Sequence, residues 1–264
     1  MPRPLTYLTP RSILLTAVGL ILLALTACQK QLNFESGQTS PGGKIRLIFF
    51  PTFNGSPVLP GLSYTNIAGE PFSIQVFKLY VGKIRGNGNQ PAEADGEPYY
   101  LLDLAKPSSL QIDATLKTGT YNGLAFLVGV DSARNVSGVQ SGALDPANGM
   151  FWTWNTGYIY AKLEGNSPVS NQINGKFEYH IGGFRTPFNA IREAKLSFTQ
   201  PSTITIKEDG LTTIYLRMDL AKWFDGPYPL RIANLPVVTT PGAEAASIAG
   251  NYVNMFSITQ IEQE

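Results

Sequence analysis

The sequence predicts an all-β fold: a single β-sandwich domain with a long ordered loop and one or two short helices. Short segments rich in β-branched and aromatic residues alternate with turns built from the 26 Gly and 19 Pro residues of the chain. Hydrophobic residues make up 43% of the chain and charged residues 15%, which is enough apolar material for a core at this length. No heptad pattern, internal repeat or long amphipathic helix competes with the strands.

The strands are expected in the following order. Residues 44–50 (KIRLIFF) are rich in β formers, and residues 72–83 (FSIQVFKLYVGK) alternate apolar and polar side chains as a half-buried strand does. After an exposed hairpin-like loop at 85–98, residues 124–130 (LAFLVGV) form the continuous apolar run of a central strand. Further short strands are predicted at residues 99–104, 109–114, 158–163, 177–181, 194–198, 202–206 and 212–219. Short helices are predicted at residues 220–224 and 244–248.

Residues 131–150 interrupt the strands with a long loop rich in Gly, Asn and Asp. Loops of this length inside a compact domain are often functional. Asp131, Asn135 and Asp145 supply the oxygen donors that calcium prefers, and a bound ion would order a Gly-rich loop. The alternative is that these side chains cap turns through the local backbone, as Asp and Asn commonly do.

The first 27 residues predict a lipoprotein signal peptide. An apolar run without charge at residues 13–27 follows Arg3 and Arg11 and ends at Cys28, the single cysteine of the chain. This order matches a cleaved export signal, and the run is too short to span a bilayer comfortably. Cys28 is therefore the expected lipidation site, because its thiol would carry the lipid. A plain secretory signal with an incidental Cys28 is the alternative.

Residues 28–42 are polar and contain several Gly, which predicts a flexible tether between the lipid anchor and a domain at residues 43–264. Gln29 follows the anchor in place of the Asp that would signal retention in the inner membrane. We expect a protein of the cell envelope, attached to the outer membrane through its lipid and facing the periplasm.

Composition and motifs exclude several function classes. Lys and Arg number 20 against 19 Asp and Glu, so no basic face is implied and nucleic acid is not expected as a partner. The chain has one His and lacks a nucleophile elbow, a zinc-binding helix, a phosphate loop and a dinucleotide motif. We therefore expect a protein that is not an enzyme, although two of the acids could still converge as a hydrolytic pair.

The densest motifs lie within residues 129–183. They are GVD at 129–131, GMFWTWNTGY at 149–158, KLEG at 162–165 and FEYHIGG at 177–183. Trp152, Trp154 and the single His of the chain, His180, all belong to this segment. Gly157 is expected to adopt a positive φ or to allow a close backbone approach. This order of motifs resembles the MbnP-like family of periplasmic copper-associated proteins, over nearly the whole mature chain.

The resemblance implies copper handling and a di-haem cytochrome c peroxidase-like partner. In such proteins imidazoles bind copper, and a Trp that the partner oxidises to kynurenine can add an amine ligand. On this chain His180 matches the imidazole ligand, and Trp152 or Trp154 is the Trp expected to be oxidised. Neither the first strand nor residues 237–241 contains a further His.

Structural roles remain open for the same residues. His180 lies on an apolar strand and could be a hydrogen-bonded structural imidazole. Trp152 and Trp154 share one side of an extended segment and could stack into the core. With these roles the protein would be a structural or interaction lipoprotein that docks glycans or envelope proteins. Core packing is also the expected role of the remaining Trp and of three scattered methionines: Trp223, Met150, Met218 and Met255.

Overall fold

A computed structural model describes residues 42–59, 61–88, 92–94, 98–153 and 155–264. Its longer strands are β1 (Gly42–Phe53), β4 (Pro71–Asn87), β6 (Tyr99–Asp103), β7 (Gln111–Lys117), β9 (Gly123–Val128), β11 (Gly157–Asn166), β12 (Lys176–Gly182), β13 (Arg192–Ser197), β15 (Leu211–Asp219) and β17 (Phe256–Gln263). Two- and three-residue strands lie between them: β2 (Ser56–Pro57), β3 (Ser63–Thr65), β5 (Ala92–Glu93), β8 (Gly119–Tyr121), β10 (Phe151–Thr153), β14 (Ile204–Ile206) and β16 (Val237–Val238). The α-helices are α1 (Ser132–Val136) and α2 (Ala243–Tyr252).

Within the described residues, the smaller of the two main sheets has the strand order β17-β15-β1-β2, and β7 also pairs with β1. Strands β1 and β15 run parallel, from the pair Lys44 and Leu211 to the pair Thr52 and Asp219. Side chains along β1 alternate between buried and more exposed positions, as expected of a strand with one face on the core. The sequence pattern at residues 44–50 therefore corresponds to a real inward face.

The larger sheet has the order β13-β9-β4-β11-β12-β16 among the described residues. Strands β3, β5 and β6 also pair with the long strand β4, and β10 pairs with β11. Strands β4 and β9 hold mostly buried residues, because both lie inside the sheet and are covered on both faces. Strand β8 pairs separately with β14.

Aromatic side chains join the two sheets across the core. Phe49 on β1 lies 6.0 Å from Phe126 on β9, ring centroid to ring centroid, and both contact Phe256 on β17 at an edge-to-face angle. This arrangement is favoured by the ring quadrupoles. Two sheets packed face to face through such contacts form a β-sandwich, so the predicted fold class is confirmed.

A second aromatic cluster surrounds Trp223, which is completely buried. Its ring lies 4.9 Å from that of Tyr252 on α2 and 6.2 Å from that of Phe77 on β4. The expectation that Trp223 packs in the core is confirmed. The helical turn that carries it, Leu220–Trp223, is a 3-10 turn where the sequence predicts a short helix at 220–224.

Several elements differ from the sequence prediction. Residues 107–110 form a 3-10 turn, so the strand predicted at 109–114 begins at Gln111. Strand β4 continues to Asn87, where β5 pairs back onto it, and part of the predicted loop at 85–98 is therefore sheet. Strand β17 was not predicted, because an edge strand with mostly exposed side chains shows little apolar alternation.

The amino-terminal predictions fall outside the described residues. These are the signal peptide at 1–27, the lipidation site Cys28 and nearly all of the tether at 28–42. The described fold begins at Gly42 with β1. Among the described residues, no helix combines the length and the apolar character needed to cross a membrane.

Candidate functional site

The candidate site lies on the face of strands β11 and β12 that points away from the sandwich core. Lys162 on β11 is directly opposite His180 on β12, and Glu164 lies two residues further along on the same face. His180 is 2.7 Å from Glu164, Nε2 to Oε1, and the Lys162 ammonium lies 3.7 Å from the same oxygen. This diagonal cross-strand contact joins the three side chains into one charged group.

Glu164 is the carboxylate in this group. Its hydrogen bond with His180 and the nearby Lys162 charge hold its pKa below the ordinary value, against the opposing effect of partial burial. The side chains of Glu164 and His180 are 25% and 18% exposed to solvent. The imidazole is therefore reachable from solvent but already has a carboxylate partner.

Trp152 lies beside this group. Strand β10 pairs with the first residues of β11, Phe151 with Tyr158, and the half-buried indole covers Gly182 on β12. A Cβ built on Gly182 would lie 2.7 Å from the indole Cζ3 atom, so only Gly accommodates the ring. Because Gly182 and His180 are two residues apart on one strand, they share a face and their Cα atoms lie about 7 Å apart.

The structure therefore places two of the side chains that the sequence singled out, Trp152 and His180, on the same face of the larger sheet. Trp154, the other Trp expected to be oxidised, lies outside the described residues. Trp152 is half-buried, packs against the buried apolar core and lies over Gly182, so its stacking role and its oxidation both stay predictions.

Asn135 supports the turn that connects β10 to β11. It is buried, and its amide donates to the Val130 and Asp131 carbonyls and to the Tyr160 hydroxyl, while its Oδ1 accepts from the Tyr158 N–H. Gly157 packs against it with φ +76°, and a Cβ there would lie 2.2 Å from Oδ1. The prediction of a positive φ and a close approach at Gly157 is confirmed.

Asp131 and Asp145 cap turns of the long loop. Asp131 begins α1 and accepts from the Arg134 N–H and from the Tyr99 hydroxyl, and Asp145 accepts from the Ala147 N–H. Burial raises the pKa of Asp131, but these hydrogen bonds and the Lys83 charge outweigh it and leave the pKa below its ordinary value. The capping alternative thus describes both side chains, and the calcium site stays a prediction.

Lysine and tyrosine side chains fasten the long loop to the larger sheet. The ammonium groups of Lys78 and Lys162, which are cross-strand partners, donate to the carbonyls of Asn148 and Gly149 at 3.1 and 2.8 Å. Tyr80 and Tyr158 hydroxyls donate to the Ala143 and Leu144 carbonyls. These four bonds fasten the loop to the outer face of the larger sheet, next to the candidate site.

Metal-binding groups are sparse in the part of the chain that the structure describes. It contains no cluster of three or more His, Cys, Asp or Glu side chains placed to hold an ion. Met150, Met218 and Met255 are buried in the core, as the sequence predicts. His180 and Glu164 are therefore the two donors that the described residues offer at the candidate site.

Sequence reasoning missed Glu164 and Lys162 as site residues. One sequence signal could have found them. Lys162 and Glu164 are two residues apart at the end of the apolar segment 158–163, and this spacing places both on one face of a strand. The partnership with His180 depends on the register between β11 and β12, and no local pattern in either strand encodes that register.

The family model described as MbnP matches residues 42–241 of the chain. The solved structure of MbnP from Methylosinus trichosporium is 13% identical and aligns over 84% of this chain and 99% of that chain, with a TM-score of 0.48. No curated protein matches this chain.

Proposed function

Because this chain belongs to the MbnP family, we propose that it is a lipid-anchored envelope protein whose Trp152 is oxidised to kynurenine by a di-haem c-type cytochrome partner. It would act as a binding module and as the partner's substrate, and would carry out no catalysis of its own. The observation that supports this proposal is the half-buried indole of Trp152 lying over Gly182, on the same outer face as His180.

The proposed oxidation has a defined balance. Four electrons and four protons leave the indole, two oxygen atoms come from water, and the C2–C3 bond opens; the electrons would pass through the partner's haems to two equivalents of a peroxide, each reduced to two waters. Hydrolysis then releases C2 as formate and leaves an aromatic amine on the ring. Trp152 suits this chemistry because its ring is partly exposed, whereas Trp223 is completely buried.

Copper is the metal that the proposal assigns to the His180 face. An imidazole and an aromatic amine are nitrogen donors that both copper oxidation states accept. The unmodified residues do not fit a tight copper site, since a lone imidazole is hydrogen-bonded to Glu164 and an ammonium lies 3.7 Å from that carboxylate. We therefore expect weak copper binding before Trp152 is oxidised.

Intact mass spectrometry tests the oxidation. Co-expression with the di-haem partner should add about 4 Da to the chain, since one carbon is lost and one oxygen gained. Peptide mapping should place the gain on Trp152, and a Trp152→Phe variant should lack it. A partner-treated chain whose Trp152 and Trp154 both keep the mass of tryptophan would end the redox-partner proposal.

Copper titration of residues 29–264 tests the metal assignment. The oxidised protein should bind copper more tightly than the unmodified protein, and His180→Ala should reduce binding by the oxidised protein at least about tenfold. Circular dichroism of the variant serves as the folding control. Equal copper affinity with and without the imidazole would contradict the assignment.

A second candidate function is a structural or interaction lipoprotein that has lost metal binding. The observation that favours it is the 2.7 Å contact between His180 and Glu164, which gives the imidazole a structural partner. Under this alternative the His180→Ala variant keeps the same weak copper binding and Trp152 stays unmodified in the presence of the cytochrome.

A further inference from the structure

A cleft of about 360 Å³ opens next to the Trp152 face. It is lined by residues 155–156 of the turn before β11, residues 183–186 and 188 after β12, and residues 240–241 before α2. Gly183 at its wall directly follows Gly182, which the Trp152 ring covers. The volume falls in the range of small-molecule sites, about 300–1,000 Å³.

Arg185 supplies the charge of this cleft. Its guanidinium lies 5.2 Å from the centroid of the Phe184 ring, a cation–π contact that holds the charge against an apolar wall. None of the described residues that line the cleft is acidic. Arg46 and Arg85, by contrast, each pair with a carboxylate, whereas no described carboxylate pairs with Arg185. The five N–H groups of the guanidinium can therefore donate hydrogen bonds to an anionic ligand.

Apolar side chains form much of the remaining cleft lining. Phe184, Phe188 and Pro241 line the cleft, and Phe188 is 47% exposed. Binding of another ring against an exposed aromatic ring is favourable, because apolar surface is removed from water and the two rings contact each other. Thr156 and Thr240 also line the cleft, and the Thr156 hydroxyl is hydrogen-bonded to the Thr153 hydroxyl.

We propose that this cleft binds an aromatic carboxylate, with the carboxylate on Arg185 and the ring against Phe188. The combination of one unpaired guanidinium, two Phe rings and no acidic lining residue selects a flat apolar group that carries one negative charge. Two sources present this chemistry: a free aromatic acid, or an aromatic residue at the carboxyl terminus of a polypeptide. The proposal does not depend on the oxidation of Trp152.

Ligand-observed saturation-transfer NMR on the purified full-length chain tests this proposal with four probes. Phenylacetate and N-acetylphenylalanine should bind, whereas 2-phenylethylamine and N-acetylphenylalaninamide should bind at least about tenfold more weakly, because neither carries the carboxylate. Tighter binding of N-acetylphenylalanine would assign the site to a chain terminus, and tighter binding of phenylacetate to a free acid.

Matched variants locate the site. Arg185→Ala should weaken phenylacetate binding at least about tenfold, and Arg185→Lys should restore only part of it because the ammonium lacks the planar fork. Phe188→Ala should also weaken binding, while Arg217→Ala, an exposed arginine on β15, should not change it. Equal binding of phenylacetate and phenylethylamine, no transfer from any probe, or full affinity in Arg185→Ala would overturn the proposal.

Discussion

The carboxylate of Glu164 controls the charge of the Trp152 face. It accepts from His180 and attracts Lys162, and so it compensates two basic side chains on adjacent strands. Without it, an imidazole and an ammonium would face each other on directly opposed positions of β11 and β12. The residue that keeps His180 in place is thus also the residue that competes with a metal for its imidazole.

The pH dependence of stability follows from Glu164. Its pKa is lower in the folded protein than in the unfolded chain, so its stabilising contribution is present above the ordinary Glu pKa and is lost as the pH falls through the folded value. Glu164→Gln should lower the free energy of unfolding by about 1 kcal/mol near neutral pH, and the difference should shrink as the pH falls below the ordinary Glu pKa.

Urea denaturation at a series of pH values measures this effect. Glu208→Gln changes an exposed acid and serves as the matched control, with little expected effect at any pH. A deficit in Glu164→Gln that stays constant from neutral pH to low pH would show that the loss arises from packing and not from charge.

The long loop between β9 and β10 is the element that frames the site. It carries the caps Asp131 and Asp145, and Asn135, which holds the β10–β11 turn. The lysines of β4 and β11 fasten its last turn by donating to consecutive carbonyls. A single ammonium, that of Lys162, therefore links the loop to Glu164 and to the site.

Removal of that ammonium should loosen the loop locally. Lys162→Met keeps most of the apolar stem but removes the bond to the Gly149 carbonyl, which is worth about 1 kcal/mol. Amide hydrogen exchange at Ala147, Asn148 and Gly149 should become several-fold faster, on the order of 2–10-fold. Exchange in the strands of the smaller sheet should stay unchanged.

Lys117→Met, at an exposed position on β7, is the matched control and should leave exchange in the long loop unaltered. If the loop amides of Lys162→Met exchange at the rate of the parent protein, then the tyrosine bonds to the Ala143 and Leu144 carbonyls suffice to hold the loop.

At the scale of the whole molecule, stability depends on rings that join the two sheets. Phe256, near the carboxyl end of the chain, packs on Phe49 and Phe126 with ring centroids 6.2 and 4.9 Å apart. The last strand thus closes the sandwich against its first strand and against the centre of the opposite sheet.

Two Phe substitutions on opposite faces of the smaller sheet test this arrangement. Phe256→Ala should cost about 3–5 kcal/mol of unfolding free energy, because it opens a cavity between the sheets. Phe50→Ala, on the outer face of β1 where the ring is 47% exposed, should cost less than about 1 kcal/mol. Chemical denaturation of residues 29–264 measures both, and equal losses would contradict the proposed division into core and outer faces.

The sequence alone determined the fold class, the positions of most inner strands and the structural roles of two residues, Trp223 and Gly157. Period-two alternation and continuous apolar runs identified β1, β4 and β9. Burial on one face requires apolar residues at alternate positions, and burial on both faces requires them at successive positions. Trp223 was predicted in the core and Gly157 at a positive φ, since a large ring and a Gly between polar residues each have a local preference.

Only the tertiary structure decided which side chains meet. The pairing of His180 with Glu164 and the placement of Trp152 over Gly182 depend on strand register. The lysine bonds that fasten the long loop to the sheet join residues 70 positions apart for Lys78 and 13 for Lys162. Strand β17 was not predicted for a related reason. An edge strand forms by pairing with its neighbour, and its own sequence pattern does not identify it. Contacts between distant segments depend on the packing of the whole sandwich, and local propensity does not predict them.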